Sequence, residues 1–276
     1  DLGYLPRVAY QLDPCFRCAG TCGKQSLTMF MGLGCNAAGV TGCRIIDSPR
    51  ERLIAILTNV CIPCNGRFPA MITILTIFFA ASVSWGSSLA AAAGVLLLLV
   101  LGTGMTLLLS RILSCTLLKG IPSSFTLELP PYRKPQIGRV LVRSILDRTL
   151  FVLGRACVVA APAGMLLWAL ANWHLTDGQS VLCWLAEQFQ PVGAVFGLDG
   201  AILLAFVLGF PANEIVLPIV LMIYAAEGTL NEVGDLAQLH TILQENGWTI
   251  QTAICMLLLM LFHFPCSTTC LTIRKE

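Results

Sequence analysis

Long stretches without a charged side chain constrain this chain more than any other feature. Phe68 to Trp85 runs 18 residues uncharged, and after Gly86, Ser87 and Ser88 the stretch Leu89 to Ser110 adds 22 more. A helix rising about 1.5 Å per residue needs roughly 20 apolar residues to cross a ~30 Å hydrocarbon layer, so the two read as a transmembrane hairpin with a very short turn. Ala156 to Trp173 is a third such run, and Ile250 to Ile273 a fourth in which His263 is the one ionisable group besides thiols. Only 12% of the 276 residues are charged, about half the usual share for a water-soluble domain, and mean hydropathy is +0.79. The expected class is all-α: a polytopic membrane helix bundle lying in the lipid bilayer. A formal net charge of +2 leaves no basic excess for nucleic acid.

The cationic residues set the orientation. Seven Lys and Arg precede residue 68, eight lie from Arg111 to Arg155, two close the chain at Arg274 and Lys275, and none falls between Ala156 and Ile273. Lys and Arg accumulate in cytoplasmic loops, so the 111–155 loop is expected inside, and the acidic segments Asn172 to Asp199 and Glu227 to Glu245 outside. Val140, Leu141, Ile145, Leu146 and Leu150 give the loop an amphipathic helix whose basic face suits an anionic leaflet. Three regions result: 1–110, 111–155 and 156–276. The opening at Asp1 lacks the basic and apolar regions of a signal peptide and reads as the middle of something longer.

A fifth apolar segment, Ala201 to Ala226, is interrupted by Phe210, Pro211, Ala212, Asn213 and Glu214. If it crossed fully, its two acidic flanks would fall on opposite sides. A re-entrant hairpin with arms Ala201 to Gly209 and Ile215 to Ala226, each about 15 Å long, removes that conflict. Non-helical backbone at membrane depth survives only inside protein or beside a polar cavity, and an acid there marks a functional site by default. The N-terminal half has a comparable irregularity at Gly32, Gly34, Cys35, Asn36 and Gly39. Each half also carries a second break: Cys61-Ile62-Pro63-Cys64-Asn65-Gly66-Arg67-Phe68-Pro69 in the first, and His263-Phe264-Pro265-Cys266 in the second. Paired interruptions in two halves point to a transporter built of repeats with broken or re-entrant helices.

Thiol, imidazole, amide and carboxylate together suit a borderline first-row divalent cation, whereas Ca²⁺ or Mg²⁺ would want oxygens. There is no phosphate loop; Gly23-Lys24-Gln25-Ser26 lacks its glycine spacing, so the chain is not expected to act as an enzyme. Cys15, Cys18 and Cys22 could hold zinc, yet no second Cys or His pair follows at finger spacing. Most of the thirteen cysteines lie in apolar runs and are expected as reduced thiols.

Gly3-Tyr4-Leu5-Pro6-Arg7, Gly34-Cys35-Asn36, Cys64-Asn65-Gly66-Arg67-Phe68-Pro69, Glu128-Leu129-Pro130-Pro131-Tyr132-Arg133 and Pro211-Ala212-Asn213-Glu214-Ile215-Val216 together resemble the bacterial ferrous iron transporter family FeoB. The resemblance implies a permease with two gate regions in the cytoplasmic (inner) membrane and Fe²⁺ as transported substrate. It assigns Cys35, Asn36 and Cys64 to the first gate, and Asn213, Glu214 and Cys266 to the second. It also implies GTP acting only through an N-terminal G-protein domain that has no counterpart in these residues, small cytoplasmic Feo accessory proteins as partners, and room for a homo-oligomer. Family members commonly continue Gly-Cys-Asn with Val-Pro-Ala; here Ala37, Ala38 and Gly39 follow. The rival readings are a non-transporting membrane scaffold or sensor, and a nucleoside or organic solute carrier of related gate architecture.

Overall fold

The computed structural model describes residues 4–80, 87–120, 138, 142, 150–174, 180–225 and 236–276. Gly3 of the first motif, the hairpin turn at Gly86, the Glu128–Arg133 motif, most of the amphipathic stretch and residues 227–235 of the second acidic segment lie outside them, while the rest of that segment is helical. Among the described residues the elements are helical, with no named strand. They form two compact units: the first comprises 1–65, 99–157 and 268–276, the second 66–98 and 158–267.

In the first unit, α1 (Tyr4–Cys18) stops at Gly20, whose φ of +79° supplies the left-handed residue that closes a helix without a Cβ penalty. Buried Asp13 pairs with Arg17 one turn on (2.7 Å) and accepts the Gly23 N–H (2.7 Å), which fixes the start of α2 (Lys24–Gly34). After a single extended residue comes α3 (Asn36–Gly42), then α4 (Pro49–Thr58), with Pro49 in the first turn where its missing N–H costs nothing. Ile62 turns extended because Pro63 excludes the helical region for the residue before it. Cys22, Val40, Cys43, Ile46, Ala55 and Ile56 form the apolar centre, and Gln25 donates to Thr58 (3.0 Å) and Ser110 (3.1 Å).

In the second unit, α5 (Phe68–Leu75) continues into a π-type turn at Thr76–Ala80. The long α6 (Ser87–Cys115) runs from this unit into the first. Its stretch Ser88–Cys115 is 28 residues with mean hydropathy 2.3 and leaves Leu96, Leu97 and Val100 exposed, the surface that lipid covers. The remaining helices are α7 (Leu150–Asn172), α8 (Val181–Val195), α9 (Gly200–Leu208), α10 (Val216–Ala225), α11 (Leu236–Glu245), α12 (Ile250–Phe262) and, closing the chain, α13 (Ser267–Ile273). Ile250–Ile273 is long and apolar enough to span, although it breaks before Ser267.

Two findings refine the sequence reading. The segment read as an external acidic loop from Asn172 to Asp199 holds α8, because its one acid between Val181 and Val195 is Glu187, most of the rest is apolar, and the Ser180 side chain caps the start by accepting the Cys183 N–H (3.3 Å). And the sharp 109° bend lies between α8 and α9, turning at Gly197 (φ +68°). Gly200 admits this packing: a Cβ there would run into the Ala186 main-chain carbonyl and stand 2.6 Å from the Gln190 main-chain nitrogen. The Trp248 indole donates to the Tyr224 hydroxyl (2.8 Å), which donates to Asp199 (2.8 Å), so α10 is tied to the start of α9.

Candidate functional site

Cys35 breaks the first gate with extended backbone (φ −154°, ψ 123°), and Asn36 follows as the first residue of α3. Asn36 is 3% exposed, and its amide nitrogen donates to the carbonyls of Gly32 (3.1 Å) and Ile62 (3.2 Å). The Asn65 N–H, one residue past Cys64, donates to the Gly34 carbonyl (3.3 Å). The Pro-Cys break is therefore stitched across the end of α2, where a helix would otherwise leave its last carbonyls open.

The second gate repeats this grammar. Ala212 is extended (φ −150°, ψ 117°), Asn213 follows it 5% exposed and opens a 3₁₀ turn, and α10 continues with Pro218 in its first turn. The Ser267 N–H, one residue past Cys266, donates to the Phe210 carbonyl (2.8 Å), as Asn65 does to Gly34. The local match pairs Asn36 with Asn213, Cys64 with Cys266 and Cys35 with Ala212. It also pairs Ala37 with Glu214, so the first gate carries an extra thiol just before its Asn and the second an extra carboxylate just after its own.

Glu214 is exposed on its 3₁₀ turn, and a Cβ on Gly66 would lie 3.8 Å from its Oε2. Gly66 is the residue before Arg67, which is fully buried and donates to the carbonyls of Leu261 (3.0 Å) and His263 (3.5 Å) where α12 ends. A guanidinium there complements the negative helix terminus. Replacing Arg67 by Leu is expected to destabilise the protein by about 2–4 kcal/mol, since two buried carbonyls lose their partner, and Lys to recover part of it. Thermal unfolding in detergent measures both; an unchanged midpoint for Leu would contradict the clamp.

Cys35, Cys64 and Cys266 are each half-buried, and all thirteen cysteines are thiols. Among the described residues no three His, Cys, Asp or Glu side chains are gathered into a group able to hold a metal ion. Of the amino-terminal thiols, Cys15 and Cys18 are exposed, while burial, with Glu51 beside it, pushes the Cys22 thiol up to about 12.

Three residues matter here that the sequence reading left out of the candidate site. Asn59, 1% exposed, donates from its amide to the Asn36 carbonyl (3.2 Å), and its side-chain oxygen has no hydrogen-bond partner. Gly32 and Gly39, seven residues apart, make room for it, since a Cβ on either would stand 2.7 Å from that amide. Their spacing was the available signal. Arg67 stood inside a motif without a role, and His263 was read as part of a break and as an imidazole among the donors without being assigned to either gate.

Comparison with known sequences gives two family matches. Residues 1–78 and 153–276 match the family model Gate, described as nucleoside recognition, and residues 95–147 match that of the ferrous iron transport protein B C terminus. The Fe(2+) transporter FeoB of Staphylococcus aureus (strain COL) is 30% identical over 285 residues, covering 100% of this chain and 40% of that protein. The Fe(2+) transporter FeoB of Salmonella typhimurium (strain LT2) is 29% identical over 249 residues, 87% of this chain and 31% of that protein. The chain thus spans about two fifths or less of the length of these relatives. No solved structure matches.

Proposed function

The chain belongs to the FeoB family of ferrous iron transporters, in its gate-bearing membrane portion, and from that premise we propose that its two gates carry Fe²⁺ across the bacterial cytoplasmic membrane. The observation that carries the proposal is the duplicated break: an extended residue, a buried Asn, and a main-chain stitch from the residue after Pro-Cys. Such interruptions give an ion half-filled coordination from carbonyls and side chains without a closed cage. Conduction asks for this, because an ion must leave each site as readily as it enters. Cys35, Asn36 and Cys64 would serve the metal in the first gate and Asn213, Glu214 and Cys266 in the second, thiols selecting a borderline cation over Mg²⁺ or Ca²⁺. In this reading the protein is a transporter and not an enzyme, the energy of GTP enters through a separate G domain, and small cytoplasmic Feo proteins act as partners.

The test is ⁵⁵Fe²⁺ accumulation by the full-length protein in cells without another ferrous uptake route. Cys35→Ser with Cys64→Ser is expected to cut uptake about tenfold or more, with the protein still in the membrane. Unchanged uptake and metal dependence would remove the thiols from the pathway. Saturable uridine uptake indifferent to Fe²⁺ would favour the nucleoside reading that the Gate description raises.

A further inference from the structure

Where α8 bends into α9, the second unit holds a cavity of about 390 Å³. Cys183, Glu187 and Gln190 line it from α8, Asp199 from the start of α9, Tyr224 from α10 and Asn246 from the turn after α11. No residue assigned to either gate is among this lining.

The hydrogen bonds around the cavity leave it rich in acceptors. The Tyr224 hydroxyl, which accepts from Trp248, gives its own proton to Asp199 Oδ2 (2.8 Å). The Cys183 thiol donates to the Ile223 carbonyl (3.8 Å). Main-chain partners fix both amides: Asn246 donates through Nδ2 to the Ile242 carbonyl (2.9 Å), and Gln190 accepts the Gly200 N–H at Oε1 (2.8 Å). Asp199 stands at the N-cap of α9 but its side chain does not cap that helix. The Glu187 carboxylate, Asp199 Oδ1 and Asn246 Oδ1 thus stand without a hydrogen-bond partner among the described residues.

The two carboxylates also have no countercharge in the described lining, and the sequence holds no Lys or Arg between Ala156 and Ile273. A cleft of one charge sign with apolar walls focuses its field and concentrates ions of the other sign. The arrangement does not suit a bare ion, since no three His, Cys, Asp or Glu side chains among the described residues gather closely enough to hold one. It suits a cation that keeps its waters, whose O–H groups donate to the open acceptors. Six waters at about 30 Å³ each fill about 180 Å³, so a fully hydrated ion fits within the cavity.

The geometry points to this cavity as a binding site for a hydrated divalent cation, held through its water shell by Glu187, Asp199 and Asn246. The purpose of the site rests on the transport reading: it gathers the ion with its waters on, whereas the gates meet the ion with their thiols and carbonyls.

The test uses hexaamminecobalt(III) with the purified, nucleotide-free full-length protein in nanodiscs of neutral phosphatidylcholine. Its six ammonias do not exchange for protein ligands, so it binds only through hydrogen bonds and charge. Calorimetry is expected to show saturable binding that weakens at least tenfold in the Glu187→Gln, Asp199→Asn double variant. Glu187→Gln alone, on an exposed side chain without a hydrogen bond, should weaken it about threefold, and Glu187→Asp should keep it within about twofold; these two guard against a merely unstable double variant. Mg²⁺ and Mn²⁺ should displace the complex about equally, because an ion met through its waters is read by charge. No saturable binding, equal binding in the double variant, or displacement by Mn²⁺ but not by Mg²⁺ would overturn the site. Binding with ⁵⁵Fe²⁺ uptake absent would keep the site and end the transport reading; uptake without binding would do the reverse.

Discussion

Glu214→Gln is expected to lower Fe²⁺ uptake at least tenfold while the protein reaches the membrane at its normal level. Glu214 is the one acid between Ala201 and Ala226, and it stands exposed at the break and against Gly66 instead of paired within a helix. Leaving a carboxylate at membrane depth costs several kcal/mol unless water, a cation or a partner compensates. Gln keeps the shape and much of the hydrogen bonding but removes the charge, so insertion becomes easier and not harder. Folding and transport thus predict opposite signs. At ~4 Å and an effective dielectric of ~20, unit charges attract by ~4 kcal/mol, and twice that for a divalent ion; a net loss of only ~1.4 kcal/mol after desolvation already gives tenfold. Glu214→Asp, which keeps the charge and withdraws it by one methylene, should fall between. Wild-type uptake by the Gln variant, measured with ⁵⁵Fe²⁺ in the full-length protein, would make the acid structural and favour the scaffold reading.

The helices and breaks were legible where they depend on local chemistry. Charge-free runs announce apolar helices because lipid favours little else, and among the described residues two of the four, in Ser88–Cys115 and Ile250–Ile273, are long enough to span while Phe68–Phe79 and Cys157–Asn172 are shorter. Pro63, Pro211 and Pro265 announce interruptions because each removes a donor and restricts the residue before it. Helix α8 was not legible by the same logic, since acids on its flanks outweighed an apolar interior fifteen residues long. What the sequence hid most completely is which residues hold the breaks shut. Asn59 lies 23 positions from Asn36, and Arg67 lies 196 from His263; such pairings are made by tertiary packing and leave no periodicity. The correspondence of Cys35 with Ala212 was equally hidden, because it rests on matching backbone angles and stitches, and the two gates differ in spacing between Asn and Cys.

The seam in the first gate gives the second large effect, and its sign is diagnostic. Gly32→Ala in the last turn of α2 would ordinarily stabilise a helix by up to ~1 kcal/mol. Here the new methyl would stand 2.7 Å from Asn59 Oδ1 and 3.3 Å from Cγ and Nδ2, so the amide must shift or the helices must part, at about 1–3 kcal/mol. The variant is therefore expected to melt several degrees lower in detergent. Removing the amide should reverse this. Asn59→Ala gives up one hydrogen bond to Asn36 but also removes a buried oxygen without a partner, so by itself it should be close to neutral. In the Gly32→Ala, Asn59→Ala pair the methyl then fills vacated space, and the coupling between the two changes should reach about 1–3 kcal/mol. Gly39→Ala provides the control: its methyl would meet not only the Asn59 amide but the Thr28 main-chain carbonyl at 2.9 Å, which no substitution removes. Rescue by Asn59→Ala should thus be large at position 32 and partial at position 39. Equal rescue at both, or none at 32, would mean that the glycines serve the bend of α2 and α3 and not the seating of Asn59.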